Sequence, residues 1–391
     1  MQRALPIIFL LICGPLLADE LMSLKPAHSI EAYQVLSNAL NQLDQATIER
    51  ELTTLNANKL SEAPATKRFG FNPDAAPEFF TTTEGKRIAD IVLSYQTPSG
   101  GWSKRTDMSF APRRPGQAFG VEQNYIPTFD NGATTTQVWL LAKAHQATGN
   151  PSYANAIERA VQLMTLAQYP NGGWPQNFPL TGGYHDYITY NDDVTVKLLQ
   201  VLNSARQQQP PFDFIDDKLA ARAEQSFQRG LSSVLATQIK VGDTATLWGA
   251  QHHHKTLEPI NARKFEPIAL ATAESADLVE FLMTLDNPNA DIKQAIVAAH
   301  NWFAANKIYG YQWGKQTSRH NALTPAPGAG PLWGRFCEIG TNRPVFGDRD
   351  GSVHYEVSEI STERRDGYAW YTSSPKRVLK KFPAWKAKYL D

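Results

Sequence analysis

Four arginines and a few carboxylates carry most of the chemistry legible in this sequence. The stretch "RFCEIGTNRPVFGDRDG" sets Arg335, Arg343 and Arg349 among Glu338, Asp348 and Asp350, and Arg263 stands upstream in "NARKFEP". A guanidinium is effectively always protonated, and its planar fork pairs with carboxylates or phosphates in bidentate fashion. Brought together, these side chains would form a cationic wall, with Asp348 and Asp350 available to lock some of them structurally. Arg343, next to Pro344, is assigned to structure. Two other stretches, "TFDNGATTT" and "ITYNDDVTV", set Asp130 beside Asn131 and Asn191 beside Asp192, each just ahead of a helical pattern. Asp and Asn are favoured helix N-caps, and Asp193 taken alone reads that way. Two aspartates at one rim also suit a hard cation, which prefers oxygen ligands, or an acid–base pair, and spacing alone does not choose. His252, His253 and His254 are consecutive and cannot all face one ion, so no zinc site is assigned. "DRDG" lacks the remaining ligand positions of a calcium loop.

The elements that must position these groups repeat. "YQTPSGGWSK" (95–104) and "QYPNGGWPQ" (168–176) share Gln-x-x-x-Gly-Gly-Trp, with Gln96 and Gln168 72 residues apart. Each motif ends a helical pattern and precedes a loop that delivers one of the acid–amide pairs. A degenerate third unit runs from Gln238 through Trp248 to the loop of Arg263 and a helix over 272–285. Apolar residues at three- and four-residue spacing dominate from residue 83 onward and alternating strands are scarce, so the chain reads as mostly α. Hairpin units of about 70 residues argue for hairpins set around a common axis, a helical toroid with its loops at one end. In that reading the paired glycines cap helices and each Trp closes a hairpin; the other reading has tryptophans stacking on sugar rings.

The ends and the composition set limits. Met1-Gln2-Arg3, the apolar run to Leu17 and the small Ala18 read as a signal peptide over 1–18, interrupted by Gly14-Pro15 and too short to span a bilayer. The mature protein is therefore expected to be exported, to the periplasm or beyond, with no membrane partner. Cys337 is then the sole cysteine, so no internal disulfide forms and stability rests on core burial. Lys plus Arg and Asp plus Glu are both 38, so no basic excess points to nucleic acid. Residues 19–75 are expected to be a helical extension packed on the body formed by 76–391. A rim with arginines, carboxylates and aromatics on an exported chain fits an acidic polysaccharide, and a monomer is expected.

Six motifs, "GGWSK", "DNGATTTQ", "GGWPQ…PLTGGYHDYITYNDD", "QHH…LEPINARKFE", "ESADLVEFLM" and "WGRFCEIGTNRPVFGDRDG", resemble the family 10 pectate lyases in order and spacing over about residues 76–372. The resemblance implies an incomplete (α/α)3 toroid, with long loops and short strands at one end forming an open groove. It implies cleavage of α-1,4-linked polygalacturonate by calcium-assisted anti β-elimination. Asp130 and Asp192 would hold Ca2+, with Asn131 alongside on the substrate. Arg263 would be the Brønsted base, Arg335 and Arg349 would bind uronate carboxylates, and Lys104 and Trp174 are further candidate substrate contacts. A guanidine base requires nearby cations to depress its pKa and implies an alkaline rate optimum. Ser103, Arg105 and His254 depart from the family's usual residues and bear on subsite detail. The alternatives are a glycoside hydrolase using Asp130 with Asp192 or Asp193, a terpenoid-cyclase-like toroid, whose apolar pocket the arginines oppose, and a non-catalytic pectin-binding protein.

Overall fold

The computed structural model describes residues 18–315 and 319–391. The leader expected over 1–18 lies, apart from Ala18, outside them. About 47% of the residues are helical and the strands are short, so the fold is the mostly α toroid anticipated from the repeats. Helix α1 spans Ile30–Thr54, α2 Thr83–Ser94, α3 Thr135–Thr148, α4 Pro151–Leu166, α5 Val194–Gln207 and α6 Asp217–Thr237. Then come α7 at Thr272–Leu282, α8 at Ala290–Ala305, the short α9 at Thr362–Gly367 and α10 at Pro375–Tyr389. Consecutive helices pair as hairpins, α3 on α4, α5 on α6 and α7 on α8, and α10 packs over α7 and α8.

Local chemistry explains where the hairpins turn. Gly149 takes a left-handed φ of 68° to end α3, then the Asn150 side chain accepts from Ser152 N and Pro151 opens α4. Asp216 and Asn289 cap α6 and α8 in the same manner, accepting from Leu219 N and Ile292 N.

The repeated Gln-x-x-x-Gly-Gly-Trp motif is a joint between units. Gln96 Nε2 donates to Gly100 O within its own loop and to Ala156 O on α4, both at 2.8 Å. Gln168 does the same to Gly172 O and Ser226 O on α6 at 2.8 Å, and Gln238 to Thr246 O and Ala295 O on α8 at 3.0 and 3.1 Å. Each motif tryptophan is fully buried and donates its indole N–H back to the helix just ended: Trp102 to Val92 O, Trp174 to Met164 O and Trp248 to Val234 O. Each such bond gives a carbonyl in the last turns of the helix a donor and ties the ring to the helix end.

Ahead of the toroid, α1 is held by polar bonds that reach far along the chain. Tyr33 Oη donates to Ala167 O at 2.7 Å, Ser37 Oγ accepts from Leu180 N at 2.8 Å, and Glu51 forms a two-pronged pair with Arg113. Asp44 is buried and accepts from both N and Oγ of Ser99 in the first Gly-Gly loop. Burial pushes its carboxyl up to about 7 despite those two donors. At the open end the strands are two to four residues long; Ile188–Thr189, Gln251–His252 and Pro259–Ile260 form an antiparallel sheet in that order, with Ile188 opposite His252 and Gln251 opposite Ile260. A second, smaller apolar core of Phe265, Phe336, Phe346 and Trp370, with Tyr368 packed on it, lies beneath the arginine-bearing loops.

Candidate active site

The two acid–amide loops are copies of one backbone. Thr128 N donates to Trp102 O and Thr189 N to Trp174 O; Thr134 Oγ1 donates to Thr128 O and Thr195 Oγ1 to Thr189 O. In that register Asp130 is equivalent to Asn191 and Asn131 to Asp192, so acid and amide are exchanged between the copies. The backbone agrees closely: φ, ψ is 51°, 27° at Asn131 and 53°, 24° at Asp192. Left-handed φ is costly for most L-residues and mild for Asn and Asp, which explains why these types fill both positions. Capping is not their task. Neither α3 nor α5 has a side-chain N-cap bond, and Asp193, read above as a cap, instead faces Lys197 Nζ at 3.4 Å.

The exchange brings two carboxyls together at the rim. Asp130 and Asp192 lie close enough to interact, and Asp192 is pushed up to about 7 by burial first and by the Asp130 charge second. Burial works against ionisation of Asp130 as well, but Lys104, paired to its Oδ2, holds it below the ordinary value. Asp130 Oδ1, Asn191 Oδ1 and Glu274 Oε2 are buried with no hydrogen-bond partner. Buried oxygens left without donors are costly, and a hard cation ligated by oxygen is one way to satisfy them. Among the described residues no group of three or more His, Cys, Asp or Glu forms a closed metal site. Asp130 and Asp192 are the residues here that could hold a hard, oxygen-ligated cation.

Three of the four arginines gather over two rings. The guanidinium carbon of Arg263 lies 4.8 Å from the Phe265 ring centre and 5.9 Å from that of Tyr368. Arg349 sits 5.3 Å from Phe265, and Arg335 4.5 Å from Tyr368. Arg343 stands apart, 4.1 Å over Tyr355, in keeping with a structural role.

Their partners differ from the sequence expectation. Asp348 accepts from Ser361 and from the Arg349 backbone N, and Asp350 from Ser352, so neither pairs with an arginine side chain. Arg263 instead holds Glu266 through Nε and Nη2 at 2.9 and 2.5 Å; Arg335 pairs with Glu274, and Arg349 with Glu363 at 2.9 Å. Burial alone would lower the pKa of Arg263, but Glu266 overrides it and holds the guanidinium well above its ordinary value. Among the protein's own groups, Glu266 outweighs the neighbouring cations at Arg263. Nη1 of Arg263 has no partner among the described residues, and its side chain is 44% exposed. Glu266, Glu274 and Tyr368, whose Oη donates to Glu266 at 2.8 Å, went unnoticed in the sequence; only the Arg263-x-x-Glu266 spacing offered a signal. Tyr184 also lies within the field of Arg263, Lys104 and Asp130, and stacks on His185 at 4.0 Å, with Tyr125 on the other side of that imidazole.

Trp174 is a correction. Its ring is 0% exposed, packed against Gly230 and bonded to Met164, so it cannot stack on a sugar. Trp174→Phe is expected to cost about 2 kcal/mol of stability through the lost bond and lost volume. In thermal melts and steady-state kinetics Tm should fall while KM stays put; a raised KM with Tm intact would return Trp174 to the binding surface.

Asn131, Asp192, Lys104 and Lys197 line a cavity of about 410 Å3. Larger hollows of about 690 Å3 beside Trp302 and about 840 Å3 beside Tyr95 set no two carboxylates together, and one of about 480 Å3 that does, with Glu338 and Asp350, is lined by neither Asp130 nor Asp192. Residues 96–379 match the family model described as pectic acid lyase. The chain belongs to the pectic acid lyases. As a member of that family it is a polysaccharide lyase, and its toroid is shared by solved relatives. One is a mutant family 10 polysaccharide lyase from Cellvibrio cellulosa in complex with trigalacturonic acid, 33% identical, with a TM-score of 0.71, covering 81% of this lyase and 96% of that chain. Another is the family 10 polysaccharide lyase from Cellvibrio cellulosa, 34% identical, with a TM-score of 0.71 and coverages of 80% and 95%. No curated protein matches the chain.

Proposed function

We propose that this lyase cleaves α-1,4-linked polygalacturonate by calcium-assisted anti β-elimination, acting outside the cytoplasm after loss of its leader. The observation that carries the reading is the close Asp130–Asp192 pair, with an oxygen left unsatisfied, in the field of arginines gathered over Phe265 and Tyr368. The trigalacturonic acid in the Cellvibrio cellulosa complex supports the substrate class.

The C5 proton of a uronate is weakly acidic because the adjacent carboxylate resists further negative charge. Arg335 and Arg349 bind that carboxylate and stabilise the charge that develops as the proton leaves, the electrostatic help that usually dominates catalysis. Asp130 and Asp192 would hold the calcium ion, which when bound would supply further positive charge and so raise the acidity of the C5 proton. Arg263, through Nη1, takes the C5 proton in its neutral form. The C5–H electrons become the C4–C5 double bond, and the C4–O4 bond breaks with its pair going to O4, which takes a proton from solvent water. Lys104 keeps Asp130 ionised, and Asn131 at the rim binds the sugar. Because Glu266 favours the guanidinium, the neutral fraction of Arg263 grows only with alkalinity. The hydrolase alternative would use these carboxyls with water and need no calcium, so it predicts saturated products and indifference to chelator.

With unesterified polygalacturonate, calcium is expected to produce a steady rise in ultraviolet absorbance from an unsaturated uronate, and excess chelator to abolish it. New reducing ends without that absorbance would mean hydrolysis and would overturn the proposal.

A further inference from the structure

We propose that the segment ahead of the toroid adds a carboxylate-binding subsite to the groove, with Lys67 and Arg68 as its cations and a galacturonate unit of the polymer as its ligand. This rests on the polygalacturonate reading above and extends it to residues outside the 96–379 span of the family match.

Lys67, Arg68 and Phe71 line the same cavity as Asn131, Asp192 and Lys104. The other cations on that wall are already neutralised. Lys104 pairs with Asp130 and Glu122, Arg105 with Glu122 at 3.3 Å, and Lys197 with Asp193 at 3.4 Å. Lys67 and Arg68 are exposed and take part in no ion pair or side-chain hydrogen bond among the described residues. Two unneutralised cations beside a carboxylate-rich rim suit an anion that arrives from outside, and the half-buried ring of Phe71 offers an apolar face to a sugar.

The segment is fixed in place rather than loosely draped. Thr66 N donates to Arg105 O at 2.9 Å, Asp107 N to Pro64 O at 2.8 Å and Met108 N to Phe69 O at 2.8 Å. Phe69 is buried and stacks on Phe71 at 5.6 Å, while Lys143 Nζ donates to Pro73 O and Ala75 O at 3.1 Å. At Gly70, with φ of 80°, a Cβ would stand 2.0 Å from Asp107 Oδ1, so only glycine lets the loop lie this close to the body. The backbone of this loop need not reorder when its cations bind, so the ordering cost is confined to their side chains. Asp192 lines this cavity and also lies in the field of Arg335 and Arg263, so a polymer with its reacting unit at those arginines has its continuation beside Lys67 and Arg68.

The test is steady-state kinetics of Lys67→Ala/Arg68→Ala and Lys67→Glu/Arg68→Glu on polygalacturonate and on trigalacturonate. With two charge-assisted contacts removed, KM for the polymer is expected to rise about tenfold in the alanine variant and further in the glutamate variant. The kcat should be retained, the rise should be smaller for the trimer and at high salt, and Lys67→Arg/Arg68→Lys should restore KM. Thermal melts check folding, which these exposed side chains do not support. An unchanged polymer KM in the glutamate variant, with the wild-type enzyme cleaving normally, overturns the subsite alone. A wild-type protein that neither binds nor cleaves polygalacturonate overturns the substrate reading and the subsite with it.

Discussion

Arg263→Lys is expected to lower kcat on polygalacturonate by about a thousandfold, the scale of a lost positioned base, with KM changed far less. The reason lies in how the guanidinium is divided. Nε and Nη2 are taken by Glu266, and Nη1 remains for the substrate. Lysine has one nitrogen, which would be drawn onto Glu266 and away from C5. Wild-type rate should climb from neutral into alkaline pH, since the Glu266 pair keeps the proton on Arg263 under milder conditions. Stopped assays across pH for both proteins decide it. A wild-type rate flat from acid to neutral and falling above, or near-normal turnover in the lysine variant, would move the base elsewhere.

The second large effect concerns the neighbouring aspartates Asp130 and Asp192. In protein stripped of divalent ions the pair titrates jointly, with Asp192 reaching about 7 through burial and the Asp130 charge. At pH 6 it therefore holds a proton that an oxygen-ligated cation must displace. Calorimetric titration of calcium at pH 6, in buffers of different ionisation enthalpy, should show about one proton released, and none at pH 9. Asp192→Asn should abolish the release and weaken calcium binding on the order of a hundredfold. The sign for stability follows. A carboxyl raised on folding contributes its stability fully below the ordinary carboxylate range and loses it as pH rises through about 7. Stripped protein should therefore melt lower as pH climbs toward neutral, and calcium should reverse the loss. No proton release at pH 6 would remove Asp192 from the cation site.

Much of the architecture was legible because it repeats. Gln96 and Gln168 share a spacing that announced a unit, and the glycine and proline stops announced its turns. What Gln does was hidden, since its partner carbonyls lie 57 to 60 residues downstream on another helix. The site was legible as a set of residue types and much less as a set of pairs. Arg335 meets Glu274 across 61 residues, so nearby Asp348 and Asp350 were the visible candidates, yet both turned to serines. Arg263 and Glu266, three apart, were readable from i,i+3 spacing and passed over. Trp174 presented two readings that differ only in which way the ring faces, and packing against Gly230 decided between them.

The glutamine joints have a consequence for how the enzyme fails. Asp130 comes from one unit, Asp192 from the next, and Arg263 with Glu274 from the third. The distances between these groups are therefore set by two hinges in series, each closed by a glutamine amide together with backbone bonds such as Phe129 N to Gln176 O and Asn191 N to Ala250 O, rather than by the interior of any one hairpin. A slight splay at either hinge would part the aspartates or draw the arginine wall away while leaving every helix intact. Catalytic alignment in this ring is a property of its seams, and it can be lost while the helical spectrum still looks native.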